Sequence, residues 1–437
     1  MEQSSLAAMF ERAVATRPPT PQLVANSLRA GKRLRTRRRI EAGVAAAAVV
    51  GLISAVVPAA LGARSHPTPT AQRPARPETL YAASFAGKVT PIRVATGVAG
   101  RTIQIPPVGR DDYPMAVTPN GRAIYVTSGK GTLTPIYTAT DTAGRPIRLS
   151  AHILGNVVMA PNGRMAYVVQ TGAGVIPVNL VTRKPGKLIG ISQADEIAIT
   201  PDGRTLYVTE EGVNDVVPIR TASNTTLKPI HLAGPTGVFS SISITRNGRT
   251  AYAFSVSGGL ASWVTPISIG TNSARKPIKV SGYVSQMVLA PDGTAAYAFE
   301  QTRPTPTTVV SEIAPIDLTT GTVGKLIRLT SNQDPFATAL LLTPDSKTLY
   351  VTGGDAGKTV TPVNTATGEL RRPIRLAYTA CTVIPPVISP DGSAIYIAGT
   401  ASPRSNRWYV MPVRTATSTS GRPIPVPQEP VVMLITR

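Results

Sequence analysis

The chain of 437 residues contains one cysteine, three histidines and two tryptophans, and aromatic residues make up only 5% of it. With Cys381 alone there is no internal disulfide framework and no multi-cysteine zinc site. In "YTACTV" that thiol lies in an apolar stretch and reads as a buried, inert side chain rather than a nucleophile. His66, His152 and His231 are too far apart to act as a ligand pair, and neither a GxSxG elbow nor a Gly-rich phosphate loop occurs. Acidic residues are also scarce: 23 Asp and Glu face 45 Lys and Arg, a formal charge of +22. Such an excess favours anionic partners or simple solubility.

Charge disappears altogether between Ala42 and Ala63, directly after "KRLRTRRR" at 32–39. A helix over that segment would cross a hydrocarbon core of about 30 Å, with the arginines held on the cytoplasmic side. The expected layout is a short basic cytoplasmic tail at 1–39, a transmembrane helix at 40–63, a Pro-rich linker at 64–77 and an exterior domain at 78–437. The alternative is a signal peptide cleaved near Ala60 and Gly62, which would leave the domain secreted.

From Glu78 onward a unit of forty-odd residues recurs. Its markers are "PNGRAIYV" at 119, "PNGRMAYV" at 161, "PDGRTLYV" at 201, "RNGRTAYA" at 246, "PDGTAAYA" at 291, "PDSKTLYV" at 344 and "PDGSAIYI" at 390. Four extended pieces per unit, a to d, and a tight turn between a and b predict an all-β fold, a β-propeller of four-stranded blades. Because Asn replaces Asp within the turn, Asp202 reads as a hairpin residue rather than a ligand. The first unit lacks strand a and the last residues, "VVMLIT", supply one. Eight blades are therefore expected, with seven as the alternative and the last strand closing the ring. Strand c carries a proline in all eight units, at Pro91, Pro135, Pro177, Pro218, Pro266, Pro315, Pro362 and Pro412. That regularity predicts a bulge or an early strand end at a fixed place.

The tetrads "YVTS", "YVTE" and "YVTG" at 125, 207 and 350 resemble the YVTN-repeat β-propeller family. The resemblance implies a surface or secreted protein of actinobacterial envelope type with no shared reaction. Some propeller relatives cleave sugar lactones, so a lactonase-like hydrolase using the funnel is the enzymatic alternative. Strand a, read as apolar, offers such a reaction little. Quinone-dependent relatives are Trp-rich, unlike this chain.

Two candidate surfaces follow. A basic residue precedes the final strand piece of every unit: Arg101, Arg145, Lys187, Lys228, Lys276, Lys325, Arg372 and Arg422. With Arg122, Arg164, Arg204, Arg249 and Lys347 of the a–b turns they are expected to form one basic face toward acidic lipid head groups or an anionic surface polymer. On the opposite face, Asp195 and Glu196, assigned to a d–a loop, approach Glu210, Glu211 and Asp215 on a b–c loop, with His152 reaching the same funnel. These six form the candidate ligand site for an unidentified envelope protein, with no metal, no cofactor and no catalytic residue assigned. The longest outer loop is read at 300–312. Nucleic acid is disfavoured because no aromatic platform interleaves with the arginines.

Overall fold

The computed structural model describes residues 78–436, apart from 109–114, 150–153, 235–237, 258–260, 306–307, 330–338, 354–356, 382–383 and 403–404. The anticipated tail, transmembrane helix and linker lie outside the described residues, as does His152. Among the described residues no helix is long and apolar enough to cross a membrane.

Eight antiparallel sheets follow one another along the chain, each built from strands a, b, c and d in spatial order. Blade 4 shows the plan: Ala194–Ile199, Thr205–Glu210 and Asp215–Arg220 form a, b and c, and strand d comes in two pieces, Thr225–Thr226 and Ile230–His231. Blade 1 is composite. Its strand b, Thr79–Ser84, pairs with the C-terminal strand Pro430–Thr436, from Thr79 opposite Thr436 to Ser84 opposite Pro430. Eight blades and C-terminal closure are thus as expected.

Because sheets alternate their side chains between two faces, each blade offers one apolar face to the blade before it and one to the blade after. The buried apolar side chains fall into eight clusters, each shared by two consecutive blades. The cluster between blades 8 and 1 joins Tyr396 and Val410 to Leu80, Ile92 and Met433. The core is therefore a ring of interfaces, and no blade buries its faces alone.

The tyrosine of strand b lies opposite the proline of strand c in every blade, as Tyr81 with Pro91 and Tyr207 with Pro218. Several of these tyrosines also tie blades together. The Tyr81 hydroxyl donates to Asp141 at 2.6 Å and that of Tyr207 to Asn272 at 2.5 Å, each acceptor lying in the c–d turn of the next blade. Both acceptors sit at positive φ, a conformation Asp and Asn tolerate better than most residues. Arg93 of blade 1 adds a 2.6 Å bond to the same Asp141.

Asp202 is a piece of turn geometry. Its Oδ1 accepts from the Thr200 hydroxyl at 2.6 Å and from the Arg204 N–H at 3.0 Å, while Gly203 takes φ 71°. Asn120, Asn247, Asp345 and Asp391 make the same pair of bonds in their own blades. The bond from Thr200, followed by that from Arg204, holds the Asp202 carboxyl below its usual pKa.

Two outcomes test this account. Replacing Asp202 with Asn keeps the acceptor, so thermal unfolding should be nearly unchanged at neutral pH, whereas Asp202→Ala should cost about 1 kcal/mol. The Asp–Asn difference should appear only as pH falls through the depressed carboxyl value, where the aspartate loses its charge. Deleting 428–437 should abolish cooperative unfolding. It removes Val431, Val432, Met433 and Leu434, all under 10% exposed, and burial of each contributes about 1.5–3 kcal/mol. Their sum rivals a whole domain's net stability of roughly 5–15 kcal/mol. A truncated protein with an intact sharp transition would refute closure by this strand.

Candidate functional site

The proline in strand c determines where the basic residues stand. The carbonyl of Pro91 accepts from Gly100 at 2.7 Å, and the prolines of the other seven blades accept equivalent bonds at 2.7–2.8 Å. In an antiparallel strand a residue directs its N–H and C=O to the same neighbour, so the N–H that proline lacks would also have faced strand d. Strand d carries one extra residue there. Ile92 pairs with Ala99 and Val89 with Ile103, so three steps along c match four along d. The same offset recurs in the other blades, including Ile219 with Thr226 and Val216 with Ile230 in blade 4. The anticipated bulge exists, but in the neighbour of the proline-bearing strand, while strand c runs straight through.

In every blade the residue after the bond to proline is the basic one. Arg101, Arg145, Lys187, Lys228, Lys276, Lys325, Arg372 and Arg422 are all exposed, and none joins an ion pair among the described residues. Their position corrects the sequence-based expectation of a single basic face. They occupy the mid-height of the outermost strand, between its two pieces, and so form a belt around the rim. Arg122, Arg164, Arg204, Arg249 and Lys347 stay on the a–b turns at one end of the ring, also exposed.

The acidic group is placed differently from expectation too. Asp195 and Glu196 belong to the innermost strand of blade 4, not to a loop. Ala194 pairs with Glu210 and Ile197 with Val208, so the two acids form a bulge opposite Thr209. Inner-strand bulges also occur in blades 1, 3, 5 and 6, so the ring's inner strands depart from strict eightfold regularity. The Thr209 hydroxyl accepts from the Glu196 N–H at 3.0 Å, giving the bulged backbone the partner it would otherwise lack. Thr352 does the same for Ala339 in blade 7, at 3.1 Å.

Glu196 is partly open to solvent, yet burial of its carboxyl, aided by the negative Asp195, pushes its pKa up to about 8 against a hydrogen bond from Asn156 of blade 3. At neutral pH it is mostly a neutral acid. Glu210 stands between Ala194 and Asp215 in the sheet and is raised by burial and by Asp215. Asp215 is held by His231, Oδ1 to Nδ1 at 2.7 Å, and the Glu211 N–H donates to Gln193 at 3.0 Å. The structure thus collects the five acids in one blade and engages the carboxyls of Glu196 and Asp215 in local bonds. Asn156 and Thr209 are the partners that sequence reasoning missed, since neither carries a charge and one comes from the preceding blade. Strand a is also less inert than its apolar reading suggested.

Among the described residues no three His, Cys, Asp or Glu side chains gather at metal-binding spacing. Cys381 is partly buried against the cluster between blades 8 and 1. A depression of about 370 Å³ lies at the edge of blade 6, lined by Thr294, Pro315, Asp317 and Thr322. There Asp317 is taken up by its own turn, accepting from the Thr319 hydroxyl at 2.6 Å.

No protein-family model and no curated protein matches the chain. Solved structures do. The fold is similar to dihydro-heme d1 dehydrogenase NirN in complex with DHE, with a TM-score of 0.66 and 14% identity over 85% of this chain and 79% of that one. It is similar to hydrazine synthase of Kuenenia stuttgartiensis, with a TM-score of 0.54 and 18% identity over 70% of this chain and 96% of that one. A functionally unknown protein from Desulfotomaculum acetoxidans matches with a TM-score of 0.50 and 16% identity, over 68% and 94%. At these identities the likeness is one of fold: the chain is an eight-bladed β-propeller.

Replacing Thr209 with valine, close in shape but unable to accept a bond, should cost about 1–3 kcal/mol because the Glu196 N–H is stranded. Chemical denaturation at neutral pH measures this, and an unchanged midpoint would show that the hydroxyl is not what supports the bulge.

Proposed function

We propose that this propeller is a non-catalytic binding module that grips an anionic polymer of the cell envelope with its rim, tethered outside the membrane by residues 40–63. One observation carries the reading: an exposed cation with no ion-pair partner among the described residues stands on the same bulge in all eight blades. Repetition alone does not require it. The bulge needs a residue there, and the opposing proline dictates backbone rather than charge.

Position selects the polymer over the membrane surface. A planar bilayer can meet only one arc of a belt that encircles the molecule, whereas a flexible polyanion can follow it from blade to blade. Each exposed pair contributes roughly 0–1 kcal/mol and is screened by salt, so affinity must come from engaging several at once. The tether and the envelope setting rest on the charge-free segment after 32–39, and a resemblance to YVTN-repeat envelope proteins points the same way.

The test is retention on immobilised polyphosphate, with vesicles rich in acidic lipid as the parallel arm. Wild type should be retained, and a variant with the eight rim cations changed to Gln should elute at roughly half the salt or less. A second variant, with Gln at 122, 164, 204, 249 and 347, should lose much less. Absence of wild-type retention, stronger dependence on the five turn cations, or a preference for vesicles over polyphosphate would each overturn the proposal.

A further inference from the structure

Blade 6 contains a feature unlike anything in its neighbours. Its strands b and c, Ala295–Thr305 and Thr308–Asp317, run on as a two-stranded arm paired as far as Thr305 with Thr308. The segment at 300–312, read from sequence as a long loop, is largely regular sheet. Within it Glu300 lies directly opposite Glu312, a pairing that like charges disfavour. Glu300 is wholly buried, 0% exposed, and neither carboxyl oxygen has a hydrogen-bond partner. Glu312 is 9% exposed and accepts from Arg328 Nε at 3.3 Å, so that cation is engaged with the other acid.

Among the described side chains no donor reaches Glu300, and the Ser285 hydroxyl in the adjacent inner-strand bulge is likewise buried without a partner. Side chains alternate along strand b, and Ala298 and Ala296, two and four residues earlier, pack toward blade 5 in the cluster with Val264, Ile278 and Val280. Glu300 shares that face. Val284 is its partner on strand a, and Gly282 lies close enough that a side-chain carbon added there would sit 3.7 Å from Glu300 Cβ. From blade 5 come Ser262 and Val280, both fully buried. The Ser262 hydroxyl is used by the Val284 N–H and the Gly282 carbonyl. Lys279 alternates with the buried Ile278 and Val280 and is exposed on the other side of its strand. Among the described side chains, then, Glu312 and Arg328 are the charged groups that bear on Glu300.

An ionised carboxylate with no donor in such a place would be far costlier than a neutral acid. We propose that Glu300 is a proton-controlled lock: protonated, it lets strands b and c of blade 6 pack against blade 5, and on losing its proton it loosens that contact. Burial, with the charge of Glu312 second, pushes its pKa up to about 7, which places the change within the physiological range. A group raised in the folded state stabilises fully below its unfolded value near 4.5, and that contribution is lost as pH rises through about 7.

The experiment compares thermal unfolding of the full chain with its Glu300→Gln and Glu312→Gln variants from pH 5 to pH 9, with and without millimolar calcium or magnesium. The wild-type midpoint should fall as pH passes 7. Glu300→Gln, which mimics the neutral acid, should remove the part of that fall centred near 7 and leave the part that Glu196 contributes near 8, measured separately with Glu196→Gln, and Glu312→Gln should move the Glu300 part to lower pH by removing the like charge. A wild-type curve flat across neutrality, or Glu300→Gln parallel to wild type, would overturn the proposal. So would divalent cations restoring the lost stability above pH 7, because the pair would then be a cation site and not a lock. Should Glu300→Gln fail to fold, hydrogen exchange of the wild type decides. After correction for intrinsic rates, amides of 295–317 should lose about tenfold more protection between pH 6 and pH 8 than those of the equivalent hairpin 205–220. Equal losses would refute it.

Discussion

The pairing of Thr79–Ser84 with Pro430–Thr436 is the constraint on which the rest stands. Every other blade is made from one stretch of chain, and its apolar faces are buried only if neighbours stand on both sides. Joining the two termini in blade 1 turns a row of sheets with two bare apolar ends into a ring with none, and removes the corresponding open strand edge. A ring also makes stability collective. The contact of Tyr81 and Arg93 with Asp141 matters in that light, because it fastens the composite blade to blade 2 as well as to its own last strand.

Within the ring, two kinds of bulge produce the two candidate surfaces. The outer bulge follows from a missing donor: proline in strand c offers strand d a carbonyl and no N–H, and d gains a residue that projects from the rim. All eight blades obey it, and all eight fill the position with Lys or Arg. Inner bulges occur in blades 1, 3, 4, 5 and 6; the one in blade 4 is supported by the Thr209 hydroxyl and brings Glu196 to Asn156 of the preceding blade. One device is uniform and suits a repeated contact. The other varies from blade to blade.

The buried acid of blade 6 belongs to neither pattern. Blade 4 carries an acid at the matching end of its strand b, Glu210, but leaves it half-exposed opposite Asp215. In blade 6 the strands continue past that point, and Glu300 is wholly buried. The same residue type at the same place is half-exposed in one blade and enclosed in the other. The chemical identity is constant and the dielectric surroundings are not.

Sequence alone determined the repeat, the all-β propeller, the number of blades and the role of Asp202, because these depend on local pattern: alternation along strands, turn residues at fixed offsets and complementary ends. It also showed that proline recurs in strand c. Which strand would absorb the lost hydrogen bond was decided only by pairing, since the consequence falls on a neighbour and moves eight cations from an end face to the rim. Asp195 and Glu196 were legible as acids but were read as loop residues, because a bulge is defined by register against strand b and leaves little trace in its own strand. Glu300 looked like one more polar residue in a long loop. Its burial depends on the partner strand, on Gly282 and on the adjacent blade, groups distant in sequence that only the closed ring brings together.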